Sequence, residues 1–257
     1  MPTPCSVCHH PDRAEIDAQL LANVTVRGHQ NAVAKRYELT PMAVSRHVLS
    51  GHVPGLPGLL ARAGPLPTVA GGWQLVLADP PWEFRARSQK GRSRSPERHY
   101  ATMPVRAITA LPVPAVAARD SVLALWATWP HLGDAVDVMR AWGYEPVSGL
   151  DWLKTNADGS PWRGLGLLVR PSTELLLLGR RGEGVRLASG PADGLLRAPR
   201  REHSRKPDEV FERLERLFGD VRRLELFARA RRPGWTAWGL EVDRFPAPAR
   251  LPEEAAS

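Results

Sequence analysis

Cysteine is nearly missing from this 257-residue chain: Cys5 and Cys8 are the two present, so no disulfide framework holds the fold together. No run of 18 apolar residues and no amino-terminal signal pattern occurs, which excludes a helical membrane span and points to a cytoplasmic protein. Lysine is scarce as well: Lys35, Lys90, Lys154 and Lys206 are the lysines among 35 basic residues, and the rest are arginine. No Gly-x-Gly-x-x-Gly follows a strand-like run, so the ordinary dinucleotide fingerprint is absent. No internal repeat is visible.

What is present is enough apolar sequence, 43%, for one large domain and a small one. The net charge of +8 favours a polyanionic partner. Its distribution says more. Arg85, Arg87, Lys90, Arg92, Arg94 and Arg98 crowd a Ser- and Gly-containing stretch that holds a single acid, Glu97, and these six are the candidate nucleic-acid contacts of the large domain.

Just before that stretch, the apolar run Trp73 to Leu77 leads into Ala78-Asp79-Pro80-Pro81-Trp82. A short buried strand that delivers an acid into a loop is where open α/β sheets place chemistry. Asp79 can accept one hydrogen bond from an exocyclic amine and the Pro80 carbonyl a second, which draws the nitrogen lone pair out of ring conjugation. Pro80 and Pro81 fix φ and lack donors, and Trp82 offers a flat face to a base. A plain Asp-Pro-Pro turn with a packed Trp fits the same residues.

Around this loop, strand and helix patterns alternate. Ser121 to Trp126, Glu145 to Leu153, Glu174 to Leu178, Arg223 to Phe227 and Trp235 to Leu240 read as strands. Residues 104–118, 130–142 and 207–218 read as helical, with Leu132, Val136 and Met139 as the inward face of the second. The expected fold is α/β, with a mostly parallel, doubly wound sheet. Residues 156–170 and 182–201 read as irregular.

Residues 1–53 read as a small helical module. Ile16 with Leu20 and Val33 with Tyr37 have helical spacing, and Thr40-Pro41 is an N-cap followed by proline, opening a helix that carries Val44 and Arg46. Helix, turn and helix in this order predict a helix-turn-helix with Arg46 facing nucleic acid. Cys5-x-x-Cys8 opens the module and His47-x4-His52 closes it, a spacing that admits zinc on Cys5, Cys8, His47 and His52. Residues 54–72 read as a Pro- and Gly-rich linker, 73–245 as the large domain and 246–257 as a disordered tail.

Several further motifs keep one order after Asp79-Pro80-Pro81-Trp82: His99-Tyr100-Ala101-Thr102-Met103, Leu125-Trp126-Ala127-Thr128, Trp152-Leu153-Lys154-Thr155-Asn156, Ser204-Arg205-Lys206-Pro207, Glu225-Leu226-Phe227 and Arg232-Pro233-Gly234-Trp235. Together they resemble the DPPW-type, S-adenosylmethionine-dependent N6-adenine methyltransferases, which include the catalytic subunit of the eukaryotic messenger-RNA methyltransferase. The resemblance implies a Rossmann-like methyltransferase fold with permuted motif order, in which the catalytic strand comes first and the cofactor strand late. It implies catalytic roles for Asp79, Pro80, Pro81, Trp82 and Tyr100. It also implies cofactor contacts at Asp79, Thr173, Lys206, Glu225, Phe227, Arg229 and Glu241. The chain departs from the eukaryotic pattern at Thr173, where that pattern has lysine, at Ala230-Arg231, where it has Pro-His, and at Leu240-Glu241, where it has Asn-Gln. The expected activity is methyl transfer from S-adenosylmethionine to adenine N6 in DNA. RNA as substrate, and a non-catalytic nucleic-acid-binding protein of this fold, are the alternatives.

Overall fold

A computed structural model describes residues 5–22, 29–40, 43–44, 47, 63–82, 102–103, 105–164, 168–201 and 204–247. Its centre is a seven-stranded sheet built from β1 (Trp73–Ala78), β2 (Ala117–Ala127), β3 (Glu145–Thr155), β4 (Thr173–Arg181), β5 (Leu195–Pro199), β6 (Arg223–Leu226) and β7 (Thr236–Trp238). The spatial order is β5-β3-β4-β2-β1-β6-β7. Strand β1 pairs in parallel with β2 and β6, β6 with β7, and β3 with β5; β4 alone runs antiparallel to its neighbours β2 and β3. The sheet is therefore mixed but mostly parallel, as the alternation of patterns predicts.

Both faces of β1 are covered, so its apolar run is continuous rather than alternating. Val76 and Ala78 face a core shared with α3 (Val105–Thr109), α4 (Val113–Val116) and α5 (Leu132–Ala141), while Leu75 and Leu77 face one shared with α6 (Glu209–Phe218). Helix α6 buries Val210, Phe211, Leu214, Leu217 and Phe218, the i, i+1, i+4, i+7, i+8 stripe of a one-sided helix, and stops at Gly219 with φ of 67°. Full burial of each such side chain contributes about 1.5–3 kcal/mol.

Three expectations shift. The inward stripe of α5 is Ala135, Val138 and Met139, continued by Trp142, whereas Leu132 and Val136 are half-buried. The helix starts after the short 3-10 turn Trp129–His131, and this sets its phase. The irregular stretch 182–201 contains β5, whose Leu196 and Ala198 are buried beside β3; a strand of five residues with two arginine-flanked apolar positions gives little periodic signal. Finally, the end of the stretch read as linker is bound to the large domain: Leu66 is buried in its core, Trp73 Nε1 donates to Pro67 O at 2.7 Å, and Trp238 Nε1 donates to Gly64 O at 3.1 Å. Gly72, with φ of 75°, lets that segment turn into β1, since a Cβ there would lie 2.6 Å from Ala118 N.

The amino-terminal residues form α1 (Arg13–Ala22) and α2 (His29–Arg36), followed by helical Ala43, Val44 and His47. Their core is Val7, Ile16, Leu20, Val33, Ala34 and Val44. Thr40 Oγ1 accepts from Ala43 N–H at 3.1 Å, the expected N-cap. Among the described residues no helix is long and apolar enough to cross a membrane.

Candidate active site

The crevice between β1 and β6 is where the chain's two directions of travel across the sheet part, β1 leading out toward β2 and α6 bringing the chain back to β6. Such switch points open a crevice at the carboxyl ends of the strands. Asp79 is the first residue past β1 and Phe227 the first past β6. The prolines then turn the chain sharply: Trp82 N–H donates to Pro80 O at 2.8 Å, and Pro81 O accepts from Met103 N–H at 2.8 Å. One of the two Pro80 carbonyl lone pairs is thus taken within the loop, and the other has no partner among the described residues. The indole of Trp82 is fixed at both ends, with Nε1 donating to Trp126 O at 2.9 Å and one face stacked on His131 at 5.5 Å and 15°.

Behind Asp79 runs an alternating line of charge. Lys206 Nζ lies 2.8 Å from Asp79 Oδ1 and 2.9 Å from Glu174 Oε1, Lys154 Nζ lies 2.7 Å from Glu174 Oε2, and Arg229 Nη2 lies 3.5 Å from Asp79 Oδ2. Burial pushes the Glu174 carboxyl up, but Lys206 and Lys154 outweigh it and hold the group well below the usual range. Burial likewise works against the Lys206 ammonium, and the carboxylates of Asp79 and Glu174 outweigh it, raising its pKa. Both groups stay charged at neutral pH. The ammonium also sits 5.3 Å over the Trp126 ring. Asp79 is therefore held in one orientation from behind.

Asp79 also lines a small cleft of about 40 Å³ together with Leu77, Trp126, Lys206, Phe211, Glu225, Phe227, Arg229 and Phe245. Phe227 has φ of 62°, a left-handed conformation that costs a non-glycine residue about 1–3 kcal/mol, and its ring meets Trp238 edge-on at 6.0 Å. Burial, only partly opposed by Arg232, pushes the Glu225 carboxyl up to about 8, so this acid is mostly protonated at neutral pH. At one end Asp208 gathers Arg201, Arg205 and Arg232; burial raises its pKa, and the arginines outweigh burial and leave it lowered.

The structure brings Asp79, Lys206, Glu225, Phe227 and Arg229 into one cleft, and Pro80, Pro81 and Trp82 form the turn that follows Asp79. Two expected contacts stand apart. Thr173 pairs with Leu153 at the head of β4, and its neighbour Glu174 is the residue that reaches the site, through Lys206. Glu241 is engaged by Arg244 Nη1 at 2.6 Å to both oxygens and does not line the cleft. Tyr100, Arg46, Arg85, Arg87, Lys90, Arg92, Arg94, Arg98 and His52 lie outside the described residues. Glu174, Lys154, Asp208, Arg232 and Phe245 carry no site role in the sequence reading, yet stand in or beside the cleft. For Glu174 a signal existed: one acid heads the run Leu175 to Leu178, and a buried acid on a strand requires a cation.

In the amino-terminal module Cys5, Cys8 and His47 converge, their ligand atoms all within 4.8 Å of one another. Zinc at a Cys2His site takes sulfur at about 2.3 Å and nitrogen at about 2.0–2.1 Å, which a cluster of this size admits.

A protein-family model described as MT-A70 matches residues 73–241, the span that contains every element of the cleft except Phe245. The chain is 33% identical over 180 residues to an N(6)-adenosine-methyltransferase MT-A70-like protein of Drosophila melanogaster, covering 68% of this chain and 28% of that one. It is 27% identical over 188 residues to the type II methyltransferase M.MunI of a Mycoplasma species, covering 66% of this chain and 78% of the relative. To the N6-methyladenosine RNA methyltransferase MTA1 of Cryphonectria parasitica it is 31% identical over 188 residues, covering 68% and 53%. With the family match running through β1, the Asp79 loop and β6, the chain belongs to the MT-A70 family of N6-adenine methyltransferases.

Proposed function

We propose that this protein transfers a methyl group from S-adenosylmethionine to the N6 amine of adenine in DNA. The observation that carries this reading is the position of Asp79: it stands just past β1 at the switch crevice, its carboxylate is oriented by Lys206 and Arg229, and the Pro80 carbonyl beside it keeps a lone pair unused among the described residues.

The donor set suits the cofactor. Phe227 and Phe245 offer aromatic surface to an adenine, Asp79 and Glu225 offer acceptors to hydroxyls and an ammonium, and Arg229 and Lys206 offer charge to a carboxylate. Bound there, S-adenosylmethionine supplies a methyl group on a sulfonium, a good electrophile with a neutral leaving group. Asp79 and the Pro80 carbonyl accept hydrogen bonds from the two N6 hydrogens and draw the nitrogen lone pair out of ring conjugation. Trp82, one face on His131, presents its other face to the flipped base. As the nitrogen–carbon bond forms, the carbon–sulfur pair returns to sulfur, and the N6 proton leaves afterwards to solvent. Holding the reacting atoms in line is the main contribution of these residues.

DNA is favoured by the amino-terminal module, whose Thr40-capped helix follows α2 in helix-turn-helix order, and by the Arg85 to Arg98 stretch after the catalytic loop. RNA is the second reading, supported by a relative named as an RNA methyltransferase. As a second bound group we infer a structural zinc ion on Cys5, Cys8 and His47. Labelled-methyl transfer to duplex DNA, single-stranded DNA and RNA, with nucleoside analysis, tests the activity. N6-methyldeoxyadenosine from duplex DNA is the expected product. Label in RNA alone would reverse the order of the two readings, and no label in any substrate would overturn both.

A further inference from the structure

The histidine of the amino-terminal cluster is held from both sides. Cys5 Sγ lies 3.3 Å and Cys8 Sγ 3.4 Å from the same atom, His47 Nδ1. A neutral ring nitrogen has one lone pair, so it accepts a proton from one thiol at a time, and two sulfurs at matched distance do not both gain from it. Around a tetrahedral zinc the sulfur-to-nitrogen edge is about 3.5 Å, given bonds of about 2.3 and 2.0–2.1 Å. The observed spacing is that edge within a few tenths of an ångström.

On the far side of the ring, His47 Nε2 lies 2.6 Å from Asp17 Oδ1, and Arg13 Nε lies 3.4 Å from Asp17 Oδ2. His47 is fully buried, and Asp17 is 8% exposed on the α1 face that also carries Ile16 and Leu20. A carboxylate on an apolar helix face is costly unless it is used. An Nε2–H donated to Asp17 fixes the tautomer whose Nδ1 lone pair points at the two sulfurs. His10, two positions past Cys8, is engaged elsewhere: its Nδ1 accepts from Asp12 N–H at 3.1 Å, and its ring meets Tyr37 edge-on at 6.0 Å.

Resting on the zinc reading, we propose that Asp17 is the positioning residue of the metal site: it orients His47 for Nδ1 ligation, so that one ion ties the Cys5 to Cys8 loop, α1 and the helix of His47 together. Two thiolates and one imidazole select a borderline divalent cation of tetrahedral preference, and loading releases the thiol protons to solvent while the Nε2 proton stays on the ring. Outer carboxylates of this kind change metal affinity by about 10–100-fold.

The test uses the full chain, zinc and cobalt(II). Wild-type protein should hold about one zinc by elemental analysis and, with cobalt, show thiolate-to-metal charge transfer that Cys8→Ser weakens. Asp17→Asn should still load one equivalent, with zinc affinity lowered about 10–100-fold in competition with a chromophoric chelator. Asp17→Glu should recover part of the loss. In a His47→Cys background, where no ring remains to be oriented, Asp17→Asn should leave affinity unchanged. Wild-type protein that binds neither zinc nor cobalt would overturn the metal site itself. A metal-loaded protein whose affinity ignores Asp17→Asn, or one in which Asp17→Asn weakens binding equally with Cys at position 47, would overturn the role of Asp17 and leave the site standing. Should Asp17→Asn fail to fold without metal, cobalt titration of Asp17→Glu and of the two His47→Cys proteins decides the matter alone.

Discussion

Around β1 the large domain is held from both faces of the sheet, with Leu75 and Leu77 against Phe211 and Leu214 of α6, and Val76 and Ala78 against Ile108, Val138 and Trp142. In the amino-terminal module the described core is Val7, Ile16, Leu20, Val33, Ala34 and Val44, four of them valine or alanine. A unit of some fifty residues gains little from burial alone and usually needs a covalent or metal staple. Polar groups are also used differently. In the large domain the buried ions Glu174 and Lys206 hold the Asp79 carboxylate in place; in the module the buried pair Asp17 and His47 backs two thiols. On the proposed readings, one region would use its core for stability and its charges for chemistry, and the other would use its polar cluster for stability.

The sharpest way to break that contrast is metal removal. Structural zinc couples about 10–16 kcal/mol of binding to folding. Chelation, or Cys8→Ser, should abolish a separate early unfolding transition assigned to the module while leaving the transition of the large domain in place. Calorimetry with and without chelator checks this, and a single transition untouched by chelation would show that the six core residues suffice.

Next in size is Asp79→Ala. On the proposed mechanism it removes the acceptor that orients N6, and a single preorganised contact of this kind is worth about 3–4 kcal/mol in the transition state, or about 10²–10³-fold in turnover. Lys206 keeps Glu174 as a partner, so the fold should persist. Single-turnover methyl transfer together with a melting curve measures both, and wild-type turnover would remove Asp79 from the mechanism.

Glu225 gives the large domain a pH signature. Its carboxyl stands at about 8 in the folded chain against 4.5 for the free group. An acid whose pKa is raised by folding binds its proton more tightly in the folded state, so stability is lost as the pH climbs from about 4.5 through about 8 and levels off above. Glu225→Gln cannot ionise. The stability of the wild type relative to this variant should therefore fall across that window, as read from melting temperatures of cofactor-free protein between pH 5 and 9, and parallel curves would place Glu225 outside the enclosed part of the cleft. Trp82→Ala is a smaller change: loss of stacking should weaken use of the target base by about 1–3 kcal/mol, with Trp82→Phe recovering much of it in KM measurements.

How far the sequence reaches follows the same division. Strand β1, the Asp79 loop and α6 are legible because a buried parallel strand is continuously apolar and a one-sided helix repeats at 3.6 residues. Lys206, Glu225, Phe227 and Arg229 come from ordered motifs rather than from periodicity. What stays hidden is set by tertiary pairing: Glu174 matters through Lys206, 32 positions away along the chain, and Asp208 through Arg232. Glu241 is an acid in the expected place that a local ion pair with Arg244 claims. In the module the spacing of Cys5, Cys8 and His47 was readable, and Asp17 was not, because an acid at one position of a helix looks like solvated surface until its partner is known.

The mildest test asks whether the two regions cooperate. If the module is a tethered helix-turn-helix, its phosphate contacts and the effective concentration given by the intervening chain raise occupancy of the large domain on duplex DNA. Deleting residues 1–53 should then raise KM for duplex DNA and flatten its salt dependence. Turnover at saturating DNA should change little, because the core around β1 and the charged line behind Asp79 lie wholly within residues 63–245. Single-stranded oligonucleotides should respond least, since a recognition helix needs a major groove. Steady-state kinetics on duplex and single-stranded substrates, with a melting curve to verify the truncated protein's fold, separate the outcomes. An unchanged KM for duplex DNA would remove the targeting role and leave the module as an independently stapled unit, while equal losses on duplex and single strands would mean that it grips the phosphate backbone without reading a groove.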